Sequence, residues 1–581
     1  MTTTPSSPLI IGVSGHRDMQ ADQADTVRSA VAGFFKWLAK LVPNTEIRVA
    51  IGMAEGADLL LAQLALEHNF AVDAVLPMPL AEYAADFSAD ALALLHELLS
   101  HPNVRRTELQ STAERAACVT ASADGADRDA RYVKLGEYLL RRSTLLIAIW
   151  DGAPSSLVGG TADTTLRYLS ARASASTETA IEFVDDSPYA GSQFVYWVPV
   201  LRRNGAARPE LSAPCYLSGL GENLLRRHAH MPPELEQQLA GLDHYNHVYK
   251  WLLASQRVNP DSLLSKVAAG QAIQRQSLEP VDAEYGKADA MAVHFQKRSD
   301  RLFRFSSYMA AIVAMLFLVY AELLGSRLVL AAYLLTLVAS IGLYYGFADR
   351  NWFSNHLACR VLAETMRTKF FLRLAGAERL VNASELIDLT GIGQFSGSSW
   401  IKSVLRGVDQ VESPEQNSDG DSESRLAYVQ RAWIMGQHDY FHVRVARLER
   451  TNHRLERMQK LLIYIMVLIA FALVLYVDEL HRASAVLGAS VEHWLVFFMG
   501  LLPIWLGTWE IYQHKMAARE LLWQYKNQLS YFSRARVQLQ RASSQEHRTA
   551  IIAELGRESL AESYLWMIHR YHREHEPPAS G

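Results

Sequence analysis

Leu9-Ile10-Ile11-Gly12-Val13-Ser14-Gly15-His16-Arg17-Asp18 is the stretch from which the first half of this chain can be read. Its first five residues are continuously apolar, the pattern of a strand covered on both faces rather than wet on one. The next five are small or polar, so the strand ends in a turn where glycine permits a tight backbone path.

The same arrangement recurs down the chain. Ile47 to Ile51 is a second strand; it ends in Gly52-Met53-Ala54-Glu55-Gly56-Ala57-Asp58, and the helix-favouring run Leu59 to Leu66 follows. Val72 to Leu76 runs into Pro77-Met78-Pro79, Leu145 to Trp150 into Asp151-Gly152, and Val195 to Leu201 continues the alternation. Strands alternating with helices imply an α/β fold with a mainly parallel sheet, whose ligands bind beyond the carboxyl ends of the strands. After the fourth strand, Val158-Gly159-Gly160-Thr161-Ala162-Asp163-Thr164 opens a short helical stretch. Amides exposed at a helix start favour phosphate, by hydrogen bonding and by the helix dipole.

These motifs resemble the SLOG superfamily, the Rossmann-like group that includes the cytokinin-activating LOG proteins and the DprA/Smf DNA-processing proteins. The likeness rests on Gly12 to Arg17, Gly52 to Asp58, Ile149 to Gly152 and Gly159-Gly160-Thr161, and covers roughly residues 8 to 205. It implies a nucleotide-derived ligand held by Ser14, Gly15, Arg17, Gly52, Glu55, Gly56, Asp58, Asp151, Gly159, Gly160 and Thr161. Gly52, Gly56 and Asp58 would shape the central loop, and Gly159 to Thr161 would cradle a phosphate. Arg17 would pair with phosphate and Asp151 with a ribose or base, with a local turn or cap contact as the competing reading for both. LOG enzymes place a glutamate shortly after a Gly-Gly-x-Gly-Thr element, whereas this chain reads Gly-Gly-Thr-Ala-Asp-Thr-Thr, so binding is expected rather than hydrolysis. Glu55 and Asp163 are the substitute acids if hydrolysis does occur.

Four apolar stretches follow in the second half: Phe305 to Leu324, Leu328 to Phe347, Leu461 to Val477 and Trp494 to Trp509. Spanning a bilayer takes roughly 17 to 25 such residues, so the last two are the shorter candidates. Lys297, Arg298, Arg301 and Arg304 precede the first pair, and six basic residues from Arg444 to Lys460 precede the second. Basic flanks stay in the cytoplasm, which predicts four transmembrane helices in two hairpins and cytoplasmic termini.

Composition agrees with that division. A net charge of −4 with 20% charged residues gives no reason to expect a nucleic-acid partner. Cys118, Cys215 and Cys359 are too scattered for a disulfide framework or a zinc site, and Met1 to Pro8 lacks the pattern of a secretory signal. His228, His230, His244 and His247 have no acidic or cysteine partner at ligand spacing, and no metal is assigned.

The expected domains are the nucleotide-binding domain 1–205, a helical connector 206–284, two-helix membrane modules 285–405 and 427–575, an acidic flexible linker 406–426 between them, and a tail 576–581. Arg298 and Arg301 match Arg454 and Arg457 at a common offset, which points to duplication of the module. The modules resemble the SLATT family of bacterial two-transmembrane effectors, in the order basic helix, hairpin, then a helix such as His356 to Glu364. That resemblance, joined to the first, implies a homo-oligomeric antiphage effector that senses a nucleotide signal and permeabilises the membrane. A membrane-tethered nucleotide hydrolase and a nucleotide-gated ion channel are the alternatives. Glu322 and Glu510, near span ends, read first as solvated helix ends and otherwise as pore-lining groups.

Overall fold

The computed structural model of this chain describes residues 6–109, 125–155, 158–170, 181–184, 193–203, 213–221, 223–267, 275–348, 351–381, 398–409, 419–482, 490–516 and 518–575. They fall into two compact units. One combines Met1–Arg257 with Asn382–Asp419, and the other combines Val258–Val381 with Gly420–Gly581.

The first unit is α/β. Its strands are β1 (Leu9–Gly15), β2 (Ile47–Ile51), β3 (Ala71–Leu76), β4 (Val104–Glu108), β5 (Leu145–Trp150), β6 (Glu182–Val184), β7 (Phe194–Pro199), β8 (Cys215–Gly221) and β9 (Leu224–His228). They form one sheet in the order β4-β3-β2-β1-β5-β7-β8-β9-β6. The six strands from β4 to β7 in that order are mutually parallel; β8 runs antiparallel to β7, and β9 antiparallel to β8. Val13 of β1 lies opposite Ile51 on one side and Ile147 on the other, so the apolar runs at the centre of the sheet are in register.

The five strands expected from apolar runs all form, as β1, β2, β3, β5 and β7. Residues 206–284, expected to be largely helical, hold α-helix at Pro233–Ala254 and from Arg275, and also contribute the β8–β9 hairpin that widens the sheet. Gly219 explains why that hairpin fits, since a Cβ there would stand 2.1 Å from the Leu169 carbonyl oxygen.

The longer helices around this sheet, among the described residues, are α1 (Ala24–Leu41), α2 (Ala57–Glu67), α3 (Ala89–Leu99), α4 (Gly125–Arg142), α5 (Thr161–Tyr168) and α6 (Pro233–Ala254). α1 buries Val27, Val31, Phe34, Phe35 and Leu38, one face at helical spacing. A short helix, Ile401–Val408, returns from much later in the chain to join the same unit. Trp400 stacks on Tyr245 with ring centroids 4.3 Å apart, and Gln238 Nε2 donates to Ser403 Oγ at 2.9 Å. Of the expected linker 406–426, residues 406–408 therefore close a packed helix and 419–426 are helical, while 410–418 lie outside the described residues.

The second unit is helical: α7 (Arg275–Leu318), α8 (Arg327–Ala348), α9 (Trp352–Leu374), α10 (Asp419–Val429), α11 (Gly436–Arg482), α12 (Val491–Met516), α13 (Ala518–Arg541) and α14 (Gln545–His575). Among the described residues three helical runs are long and apolar enough to cross a membrane, Ser277–Leu323, Glu423–Tyr476 and Val491–Glu510, and Arg327–Leu343 is a shorter apolar helix. Their side chains face outward: Leu335 is 73% exposed, Leu468 71% and Val474 79%. Water does not tolerate a continuous apolar surface of this kind, and a bilayer does. Gly500 of α12 lets that helix approach α7, since a Cβ there would stand 3.0 Å from Leu318.

α7 packs along α9, α11 packs along α13, and α14 packs against both α9 and α13. Each apolar hairpin is thus bounded by a long inbound helix and an outbound helix lying beside it. The basic residues Arg298 to Arg304 and Arg444 to Lys460 sit on helices continuous with the apolar segments.

Candidate functional site

The chain leaves β1 towards β2 on one side and leaves β5 towards β7 on the other, so β1 and β5 are neighbours whose connections diverge. In an open parallel sheet, the crevice outside the carboxyl ends at such a point is where ligands bind. The turns that end β1, β2 and β5 all lie at that edge, and they hold most of the residues expected from sequence.

The β1 turn is fixed through its backbone. His16 N–H donates to the Ile149 carbonyl at 3.0 Å, and the His16 carbonyl accepts from Ala57 N–H at 3.3 Å, so one residue joins β5 to the start of α2. The approach is close. A Cβ on Gly15 would stand 2.5 Å from the Ala57 Cβ, and one on Gly56 would stand 2.4 Å from the Arg17 carbonyl oxygen. Gly56 also has φ +94°, a conformation that strains other residues. Ser14 lies within β1 opposite Ala148 of β5.

Asp58, in the first turn of α2, is 6% exposed. Its Oδ2 accepts from Ala54 N–H at 3.2 Å, while Oδ1 is buried without a hydrogen-bond partner among the described residues. Burial pushes this carboxyl up to about 7, against the pull of the Ala54 and Gly15 amides and the Arg17 charge. Gly52 leads into this loop, its carbonyl accepting from Tyr83 Oη at 3.1 Å.

Across the crevice, Asp151 Oδ1 stands 3.2 Å from His16 Nε2 and accepts from Ala153 N–H at 3.0 Å. Burial works to raise this carboxyl, but His16, the Ala153 amide and Arg202 outweigh it and hold it below its ordinary value. Asp18 on the β1 turn accepts from Arg202 Nε at 3.0 Å, which ties the β1 turn to the end of β7. Arg17 Nη2 donates to Tyr132 Oη at 2.6 Å, and Nη1 lies 3.5 Å from Asp86 Oδ2. Tyr132 Oη in turn donates to Asp86 at 2.7 Å, and Arg128 pairs with the same carboxylate.

The loop before α5 meets this network at Tyr132. Gly159 has φ +80°, and a Cβ there would stand 2.9 Å from the Tyr132 carbonyl carbon. Its N–H donates to Asp163 Oδ2 at 2.7 Å, so that amide is committed within the loop. Gly160 has φ −76° and ψ 175°, ordinary extended backbone, and it precedes Thr161 at the helix start.

The two carboxylates held in reserve from sequence are both engaged. Glu55 accepts from Ser88 N–H at 3.0 Å and Ser88 Oγ at 2.9 Å, bracing the start of α3, and Asp163 is 1% exposed beside Gly159. Sequence reasoning missed Tyr132, Asp86, Tyr83 and Arg202. Asp86 and Tyr83 follow the polar turn after β3, so a search of every strand end finds them. Tyr132 lies in the middle of α4, with no local signal. Of the histidines weighed as metal ligands, His228 Nε2 sits 2.9 Å from Ser218 Oγ, and His247 Nδ1 sits 3.3 Å from Asn44 Oδ1.

Comparison with protein-family models, with curated proteins and with solved structures gives no match to this chain.

Proposed function

We propose that the α/β unit binds a nucleotide-derived ligand in the crevice between the β1 and β5 turns, and that the helical unit is a membrane effector that answers to it. The observation that carries this reading is the convergence of three glycine-bearing loops at the switch point of a parallel sheet, in one chain with helices that wear an apolar surface. In this reading α8 is a fourth span, the termini are cytoplasmic at a bacterial inner membrane, and a homo-oligomer permeabilises that membrane in an antiphage response. Arg17 exchanges Asp86 for the ligand phosphate, the Gly160 and Thr161 amides receive a phosphate, and His16 with Asp151 faces the ribose or base.

The test is dye release from liposomes containing the full chain, across a panel of cyclic oligonucleotides and ADP-ribose derivatives, with Gly160→Glu as the control. Ligand-dependent release that the control lacks supports the proposal. Release by Gly160→Glu equal to that of the parent sinks the site placement, and ion-selective conductance without dye release favours a channel.

A second reading, a tethered nucleotide hydrolase, is favoured by one feature. Asp58 is a buried carboxyl with an unpartnered oxygen, whereas Glu55 and Asp163 are held by Ser88 and Gly159. Nucleotide turnover by the full chain that Asp58→Asn abolishes, with binding retained, selects it; no turnover of the panel removes it.

A further inference from the structure

The helical unit contains a cavity of about 290 Å³ that is separate from the crevice in the α/β unit. Four wall elements meet there: α9, α11 with the turn before it, α13 and α14. α9 follows the first apolar hairpin, α11 leads into the second, and α13 follows it. A molecule in this cavity therefore touches the helices that continue out of the apolar segments.

Its floor is ionic and already balanced. Arg360 Nη2 is 2.6 Å from Glu364 Oε1, and its Nη1 is 3.3 Å from Asp289. Arg367 Nη1 donates to Glu364 Oε2 at 2.8 Å, and its Nη2 to Tyr285 Oη at 3.2 Å. Two guanidinium groups against two carboxylates leave no net charge to attract a phosphate.

The walls are aromatic and amide. Trp433 stacks on Phe371 with 4° between the rings, and Phe441 packs on Tyr525 at 5.5 Å between ring centroids. Trp433 enters the wall from a π-helical stretch, Gln430–Met435, a local winding that recurs at functional sites. The half-buried amides of Gln437 and Gln524 line the same space, and the Trp566 indole N–H is buried without a hydrogen-bond partner among the described residues.

We infer that this cavity binds an uncharged purine base or nucleoside. The volume is that of about ten liquid waters, which suits a bicyclic heterocycle. The partly exposed rings of Tyr440 and Tyr525 give a base an aromatic contact, a glutamine amide pairs with the donor and acceptor edge of a purine, and the Trp566 N–H gains an acceptor. Occupancy braces α9, α11 and α13 against one another, so this site regulates the apolar hairpins from their base. It does not depend on the ligand proposed for the α/β unit.

Saturation-transfer NMR and equilibrium dialysis of the full chain in lipid nanodiscs, with adenosine, guanosine, cytidine and uridine as probes, test the inference. The expected result is saturable binding of a purine nucleoside that Gly160→Glu retains and Gln524→Trp loses, because the indole fills the cavity. Gln437→Leu, which keeps the shape and removes the amide, weakens it and guards against misfolding of the first variant. Saturable binding of none of the four probes, equal binding of the pyrimidines, or binding that both cavity variants leave unchanged overturns it. Loss in Gly160→Glu alone reassigns the nucleoside to the α/β unit.

Discussion

Gly56, expected to shape the central loop, and Gly160, expected to help cradle a phosphate, differ in backbone conformation. Gly56 sits at φ +94° with the Arg17 carbonyl where a Cβ would go, whereas Gly160 sits at φ −76°. Gly56→Ala is expected to destabilise the α/β unit by about 2–4 kcal/mol through strain and overpacking. Gly160→Ala should be neutral, or stabilising by up to about 1 kcal/mol. Thermal unfolding of the two variants compares them, and equal midpoints would refute the backbone argument. Asp58 supplies a second prediction. Its folded pKa of about 7 lies above the ordinary carboxyl value, so between roughly pH 4 and pH 7 the folded state binds more protons than the unfolded one. The Asp58 contribution to stability therefore falls as pH rises through that window, by on the order of 4 kcal/mol at most. Asp58→Asn removes the effect, so the variant should gain on the parent between pH 4 and pH 7. Unfolding midpoints that track each other across this range contradict it.

At the scale of elements, legibility followed burial on both faces. β1, β2, β3, β5 and β7 are apolar runs, and an apolar run of that length announces a central strand. β4 is Val104-Arg105-Arg106-Thr107-Glu108, an edge strand whose two arginines face water, and nothing in its composition separates it from a loop. The glycines at the strand ends were legible because a turn needs them; Tyr132 was not, because a tyrosine within α4 acquires its role only from the loops that fold against it. Membrane crossing by α8 has a direct test. Its apolar stretch, Arg327–Leu343, is shorter than the three long spans, yet Leu328, Leu335 and Val338 are exposed like theirs. If α8 crosses the membrane, the turn Gly325-Ser326-Arg327 lies outside the cell. Ser326→Cys should then react with a membrane-impermeant thiol reagent added to intact cells, while Cys359, buried in α9, stays silent. Labelling in excess of the parent chain, which carries Cys118, Cys215 and Cys359, only after the cells are broken open would place α8 on the cytoplasmic surface.

At the scale of the whole molecule, the α/β unit is assembled from two separated pieces of chain, which apolar periodicity alone does not reveal. Ile401, Val404, Leu405 and Val408 recur at helical spacing, but 406–408 were expected in a flexible linker, and the partners of this helix lie more than 100 residues earlier in sequence. Arg406 reaches the Ser143 carbonyl and stacks 5.7 Å over the Tyr168 ring, and Arg142 Nη2 donates to the Gly407 carbonyl at 3.1 Å. The chain thus leaves the α/β unit after Arg257, passes through the first apolar hairpin, and returns before Ile401. The segment carrying that hairpin is joined at both ends to the α/β unit, so a change within the unit has two attachments through which to act. The returning segment is also a structural part. Burying an aliphatic side chain is worth about 1.5–3 kcal/mol, and four of them together rival the 5–15 kcal/mol by which whole domains are stable. A fragment ending at Arg257 should therefore aggregate or unfold at low denaturant. Residues 398–409 joined to it through a flexible linker should restore a soluble, cooperative fold, and Leu405→Asp in that joined fragment should undo the rescue. A fragment 1–257 that is monomeric and as stable as the joined one would show that the returning helix merely rests on a unit complete without it.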